Sequence, residues 1–118
     1  MLWHLPLVKI IIDMIYCRVI IAESSDIMLN GIMELLQSKP HIEIVGKAFR
    51  YNHLCAQVES VQHDLVILGP MITEKFSHQL MGYLVNRFPD IKIVQINLDD
   101  DEDIIFNKIQ KVALSQVV

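Results

Sequence analysis

Four short apolar runs, each rich in β-branched residues and none alternating with polar ones, constrain this chain more than any other feature. They lie at residues 18–22, 42–47, 64–68 and 92–96. A strand with one wet face alternates; a strand buried on both faces does not, and such runs belong to a parallel sheet covered by helices on both sides. The segments between them carry helical spacing. Residues 26–37 put Leu29, Ile32, Met33 and Leu36 on one stripe, with Ser24 or Ser25 placed to cap the start and Lys39 and Pro40 to stop it. Residues 51–62 align Leu54, Val58 and Val61, and residues 73–88 align Phe76, Leu80 and Leu84 before Pro89. A last helix begins near Asp101 and carries Ile105, Ile109 and Val112. Strand then helix, four times over short connections, predicts an α/β fold with a doubly wound parallel sheet. Function in such sheets sits beyond the C-terminal ends of the strands, here residues 22–25, 69–71 and 97–101.

Bulk properties narrow the function classes. A chain of 118 residues supports one domain. Hydrophobic residues make up 53% and charged ones 20%, and the mean hydropathy of +0.38 is high for a small domain. That excess predicts apolar surface covered by a partner or a second copy, so a homo-oligomer is expected. The net charge of −4 and the absence of a basic stripe argue against direct contact with nucleic acid. Cys17 and Cys55 read as free, buried thiols in a reducing compartment. The first 22 residues are apolar, but Lys9, Asp13 and Arg18 interrupt them before the roughly 20 apolar residues a bilayer requires, and no signal-peptide pattern is present. The expectation is a cytoplasmic chain without a membrane contact.

No catalytic constellation emerges. The histidines (His4, His41, His53, His63, His78) lack metal-ligand spacing. Walker and dinucleotide glycine patterns are absent, and no Ser-His-Asp or Cys-His order can be argued. The methionines fall mostly on helical core stripes. Neither an enzyme nor a bound cofactor or metal is expected.

Residues 18–31, with the acidic-end strand, Glu23 and Gly31, resemble the opening strand and first helix of the receiver domains of two-component response regulators. The likeness is to those joined to helix-turn-helix output domains of the LuxR/NarL type. Residues 40–48 resemble that subfamily's second strand, 64–69 its third, and 88–94 the approach to its fourth. The resemblance covers residues 14–118 and implies a flavodoxin-like or CheY-like fold, truncated near the fifth strand, behind an extension of residues 1–13. Receiver chemistry needs two acids after the first strand and a phosphoacceptor aspartate after the third, which together hold Mg²⁺ through oxygen ligands. Here Glu23 fills the first acidic position, Ser24 the second, Gly69 stands at the phosphoacceptor and Asn97 replaces the hydroxyl residue after the fourth strand. A glycine offers no nucleophile. The resemblance therefore implies a degenerate phosphorylation site with no catalytic and no metal-binding residue.

Such a chain is expected to be a pseudo-receiver that takes part in two-component phosphorelay signalling or transcription regulation by protein contact. Its expected partners are a sensor kinase, a response regulator or a transcription component, and it is expected to dimerise. A small-ligand-binding domain using the vacated acidic pocket, or a remnant of a DNA-binding response regulator, are the alternatives. The acidic run 99–103 has two possible uses: help for Glu23 in holding Mg²⁺, or a favourable start for the last helix, the second being preferred. With the fifth strand cut short, the fourth strand is expected to be an open edge, one sheet face to lose one of its covering helices, and residues 7–12 to cover part of the gap.

Overall fold

In a computed structural model, residues 16–75 and 78–115 are described. Strands β1 (Cys17–Ala22), β2 (Ile42–Ala48), β3 (Leu65–Leu68) and β4 (Ile93–Gln95) form one parallel sheet in the order β2-β1-β3-β4. Helices α1 (Asp26–Gln37), α2 (Tyr51–Ser60), α3 (Pro70–Lys75), α4 (His78–Arg87) and α5 (Glu102–Ser115) cover it. The extension of residues 1–13, with its 7–12 segment, lies outside the described residues.

The central strands explain the unalternating runs. Every residue of β3 is fully buried, as are Val19, Ile20, Ile21 and Ala22 of β1. The pleat sends Val19, Ile21, Leu65 and Ile67 to one face and Ile20, Ala22, Val66 and Leu68 to the other. Each large side chain so buried contributes roughly 1.5–3 kcal/mol relative to exposure. At the sheet's edge, β2 carries exposed Glu43 and Lys47, and the register with β1 slips once between Val19 and Ile20. Charge and a bulge of this kind discourage pairing with another edge.

Local signals set most of the helices. Ser25 caps α1, its Oγ accepting from the Met28 amide at 3.3 Å, and Leu29, Ile32 and Leu36 are the buried stripe. Helix α3 starts at Pro70, three residues earlier than the spacing predicts, because a proline's fixed φ suits a first helical turn, where its missing N–H costs nothing. The predicted helix over 73–88 corresponds to α3 and α4, with residues 76 and 77 between them outside the described set. Helix α2 stops at Ser60, two residues short of the expected end, because Val61 is already extended.

The sheet has helices on both faces. Helices α2, α3 and α4 pack on the face of Ile20 and Val66 through Leu54, Cys55, Ile72 and Leu84. Helix α5 joins α1 on the other face, where Ile105, Ile109 and Ala113 meet Leu65, Ile67, Val94 and Ile96. The reason is physical: α1 alone leaves the inner side of β3 and β4 bare, while the opposite face already holds three helices. Lys39, just past α1, lies 4.9 Å from the Phe106 ring of α5 and joins the two.

Strand β4 ends the sheet among the described residues. Its outward carbonyl at Gln95 accepts from Lys108 Nζ at 2.9 Å, and the same ammonium pairs with Asp100 at 2.5 Å. A lysine laid across an edge blunts it as a template for another strand.

Candidate functional site

The chain beyond β1 turns at Glu23, which is fully buried. Its amide donates to the Ala48 carbonyl at 2.9 Å, which continues the β1–β2 ladder one residue past the strand. That anchors the backbone and turns the carboxylate inward. Oε2 accepts from the Ser24 amide at 2.5 Å and the Ser25 amide at 3.3 Å, and Oε1 accepts from the Met71 amide at 2.9 Å. The donors come from two places: the turn that opens α1 and the first turn of α3. A buried carboxylate is tolerated only when its oxygens are met in this way. Among the described residues no buried side-chain polar atom lacks a partner.

Gly69 closes the other side. Its amide donates to the Ala22 carbonyl at 2.8 Å, so the end of β3 is pinned beside the end of β1. A Cβ placed on Gly69 would meet Glu23 Oε1 in a clash, with Glu23 Cδ at 2.7 Å and its Cβ at 3.0 Å. The side chain that the position lacks and the carboxyl group of Glu23 compete for one space. The constraint here is close approach, since the Gly69 backbone needs no left-handed conformation.

The four residues singled out from the sequence are therefore not equally placed. Glu23, Ser24 and Gly69 come together, with Ser24 contributing its backbone amide. Asn97 follows β4 at the same end of the sheet, held there by the Ile96 amide on the Leu68 carbonyl at 2.9 Å. Its side chain is exposed, and its amide donates to Asp100 Oδ2 at 2.9 Å. Two contributors escaped the sequence, the amides of Ser25 and Met71. Backbone donors leave no mark in residue type; the available signal was a Gly-Pro pair at the exit of a buried strand.

The acidic run is used for helix initiation. Asp101 Oδ1 accepts from the Ile104 amide at 2.9 Å and caps α5, with Glu102 and Asp103 in its first turn where the macrodipole favours anions. Asp100 is held below the usual carboxylate range by the Asn97 amide and then by Lys108. No grouping of three His, Cys, Asp or Glu side chains among the described residues has the geometry to hold a metal ion. His53 stacks on Phe49, and His63 Nδ1 sits 2.7 Å from the Val61 carbonyl. Cys17 and Cys55 are both buried and free.

With four parallel strands in the order β2-β1-β3-β4 and the polar turns gathered at their C-terminal ends, solved structures can be compared. The non-phosphorylated receiver domain of the stress response regulator RcsB from Escherichia coli superposes with a TM-score of 0.62 at 20% identity, covering 82% of this chain and 76% of that one. This chain has the fold of a response-regulator receiver domain. A mutant of the anti-anti-sigma factor PhyR from Bartonella quintana gives a TM-score of 0.76 at 12% identity over 96% of this chain and 55% of PhyR. In sequence, the receiver-like chain is 21% identical over 101 residues to the DNA-binding transcriptional activator DevR/DosR of Mycobacterium tuberculosis. That match covers 86% of this chain and 46% of DevR/DosR, so the chain spans under half the length of that relative. No protein-family model matches the sequence. No helix among the described residues is long and apolar enough to cross a membrane.

Proposed function

We propose that this chain is a pseudo-receiver: a module of two-component signalling or transcription regulation that acts by protein–protein contact, without phosphotransfer and without being an enzyme. The observation that carries the reading is the space shared by Glu23 and Gly69. At the end of β3 there is no side chain to accept a phosphoryl group. The neighbouring carboxylate is turned inward onto three amides rather than out toward an incoming ligand. A carboxylate engaged in this way is a poor nucleophile and a poor ligand for a hydrated Mg²⁺. A small molecule at the same place would first have to displace Glu23, so the ligand-binding alternative has the weaker support.

The partners to expect are a sensor kinase, another response regulator or a component of the transcription machinery, in the cytoplasm and without direct contact of this domain with nucleic acid. The names of DevR/DosR and PhyR, a transcriptional activator and an anti-anti-sigma factor, favour the transcription side. The chain's own high hydropathy favours self-association. The test is affinity capture by the full 118-residue chain from lysate, with and without acetyl phosphate and Mg²⁺. The expected result is the same regulatory protein retained under both conditions. Capture that requires the phosphodonor, or retention of nothing but the chain itself, would overturn the reading.

A further inference from the structure

One edge of the sheet turns its hydrogen-bonding groups toward an open cleft. The Val66 amide donates to the Lys92 carbonyl at 2.8 Å and the Ile96 amide to the Leu68 carbonyl at 2.9 Å, so residues 92, 94 and 96 face β3. Alternate residues of a strand address opposite neighbours, so Ile93 and Gln95 turn their N–H and C=O groups outward. Beside them a cleft of about 380 Å³ lies between β4 and α5, lined by Ile93, Val94, Val112, Lys108 and Lys111 among others. Lys108 meets the Gln95 carbonyl from the α5 side, but a carbonyl accepts twice. An apolar groove along an unpaired strand is the geometry that an added strand fills.

Residues 7–12, which lie outside the described residues, carry the pattern that this edge requires. They read Leu7, Val8, Lys9, Ile10, Ile11, Ile12. Set antiparallel to β4 with Ile10 opposite Val94, they bring Lys9 opposite Gln95 and Ile11 opposite Ile93. Val8, Ile10 and Ile12 then share the face of Val94 and Ile96, which packs with Ile105 and Ile109 of α5. The one polar residue of the six falls beside exposed Gln95. A slip of one residue would drive Lys9 into the apolar cleft. The other edge of the sheet, β2, offers exposed Glu43 and Lys47 instead.

Chain length fixes the direction. Strand β1 starts at Cys17, and the place beyond β4 lies three strand spacings away, about 14 Å. The chain from Ile12 to Cys17 reaches at most roughly 17 Å. An antiparallel segment ends level with the start of β1 and is within that reach. A parallel one ends a strand's length further off and is not.

We propose that residues 7–12 of the same chain add to the β4 edge as an antiparallel strand, with Val8, Ile10 and Ile12 filling the cleft beside α5. The short tether gives the segment an effective concentration that a foreign strand lacks. The segment and Lys108 guard the edge together, the lysine from the α5 side and the strand along the backbone.

The test uses the full chain. Lys9→Cys is combined with Gln95→Cys, an exposed position, and separately with Glu43→Cys, exposed on β2, as a control. Residues hydrogen-bonded across an antiparallel ladder have Cα atoms about 5.5 Å apart, within the span of a disulfide. After treatment with oxidised glutathione, peptide mass mapping is expected to find the first pair joined within one chain, at a yield at least about tenfold above the control pair. Residue-resolved amide exchange is the second readout. The outward Gln95 amide is expected to exchange at least about tenfold faster in Ile10→Asp than in the native chain, while the Val94 amide, which faces β3, is unchanged. No disulfide, equal yields in the two pairs, or a Gln95 amide indifferent to Ile10→Asp would overturn the proposal. A disulfide formed only between two chains would assign the edge to a second copy and also overturn it. The pseudo-receiver reading stands or falls separately, on phosphoryl uptake.

Discussion

The carboxyl group of Glu23 occupies the space that any side chain at Gly69 would need, the Glu23 Cδ lying 2.7 Å from where a Cβ on Gly69 would stand. The two residues directly follow different strands, Glu23 after β1 and Gly69 after β3. They make one structural decision together: glycine permits the inward carboxylate, and the inward carboxylate joins the turn after β1 to the start of α3.

Gly69→Ala is accordingly expected to destabilise the fold by about 1–3 kcal/mol, the usual cost of forcing extra volume into a packed site. Glu23→Ala leaves the Ser24, Ser25 and Met71 amides without their acceptor and is expected to cost about 2–4 kcal/mol. The informative quantity is the coupling. Denaturant unfolding of the double variant should show a loss smaller than the sum of the two single losses by at least about 1 kcal/mol. Additive losses would mean that the two positions do not share the space.

The opposite end of β1 carries a second tie. Asp64 Oδ2 accepts from the Arg18 amide at 2.7 Å and from Arg18 Nε at 3.3 Å, while the Asp64 amide donates to the Arg18 carbonyl at 2.8 Å. Burial by itself would raise the Asp64 carboxyl, but the hydrogen bonds and charge of Arg18 outweigh it and hold the group below its ordinary value of 3.8. A depressed carboxylate contributes stability above its unfolded pKa and loses it as pH falls through the folded one. Thermal unfolding of the native chain should therefore lose this contribution only below about pH 4. Asp64→Ala should cost about 1–2 kcal/mol at neutral pH and lose that part of the acid dependence. An unchanged acid profile in Asp64→Ala would contradict the assignment.

Cys17 begins β1 and is buried, and its thiol is pushed up to about 11 by burial, then by Asp64, with Arg18 opposing. Reactivity requires the thiolate, so Cys17 should resist a maleimide at pH 7 and become labelled only after denaturation. Rapid labelling of the native chain at Cys17, located by peptide mass mapping, would show that the β1 terminus opens.

Helix α1 and strand β3 were legible in the sequence for distinct reasons. Ser25 and the stripe of Leu29, Ile32 and Leu36 mark both the start and the inward face of α1. The run Leu65–Leu68 has no polar residue to give it a wet side. The side of the sheet chosen by α5 was not legible. Ile105 and Ile109 announce an apolar stripe, but which sheet face it meets depends on the area that the other helices leave uncovered. The candidate site divides in the same way. Gly69 and Ser24 can be read as departures from a receiver pattern by residue type alone. The inward turn of Glu23 depends on amides of Ser25 and Met71, and every residue but proline has an amide.

Lys108 offers a check on the edge of the sheet. Its ammonium serves the Gln95 carbonyl and Asp100 at once, so Lys108→Met should free the β4 edge and raise the Asp100 carboxyl toward its ordinary value. Size-exclusion chromatography across a concentration series should then show more self-association than the native chain. An unchanged profile would mean that the lysine does not guard the edge.

Phosphoryl uptake is the most direct discriminator. The native chain and Gly69→Asp are incubated with acetyl phosphate and Mg²⁺, and intact mass is recorded before and after treatment with hydroxylamine, which cleaves acyl phosphates. No phosphoryl addition is expected in the native chain, and none in Gly69→Asp, whose new side chain competes with Glu23 for one space and has Ser24 where a second acid is needed. A hydroxylamine-labile phosphoryl group on the native chain would contradict a receiver that works without phosphotransfer.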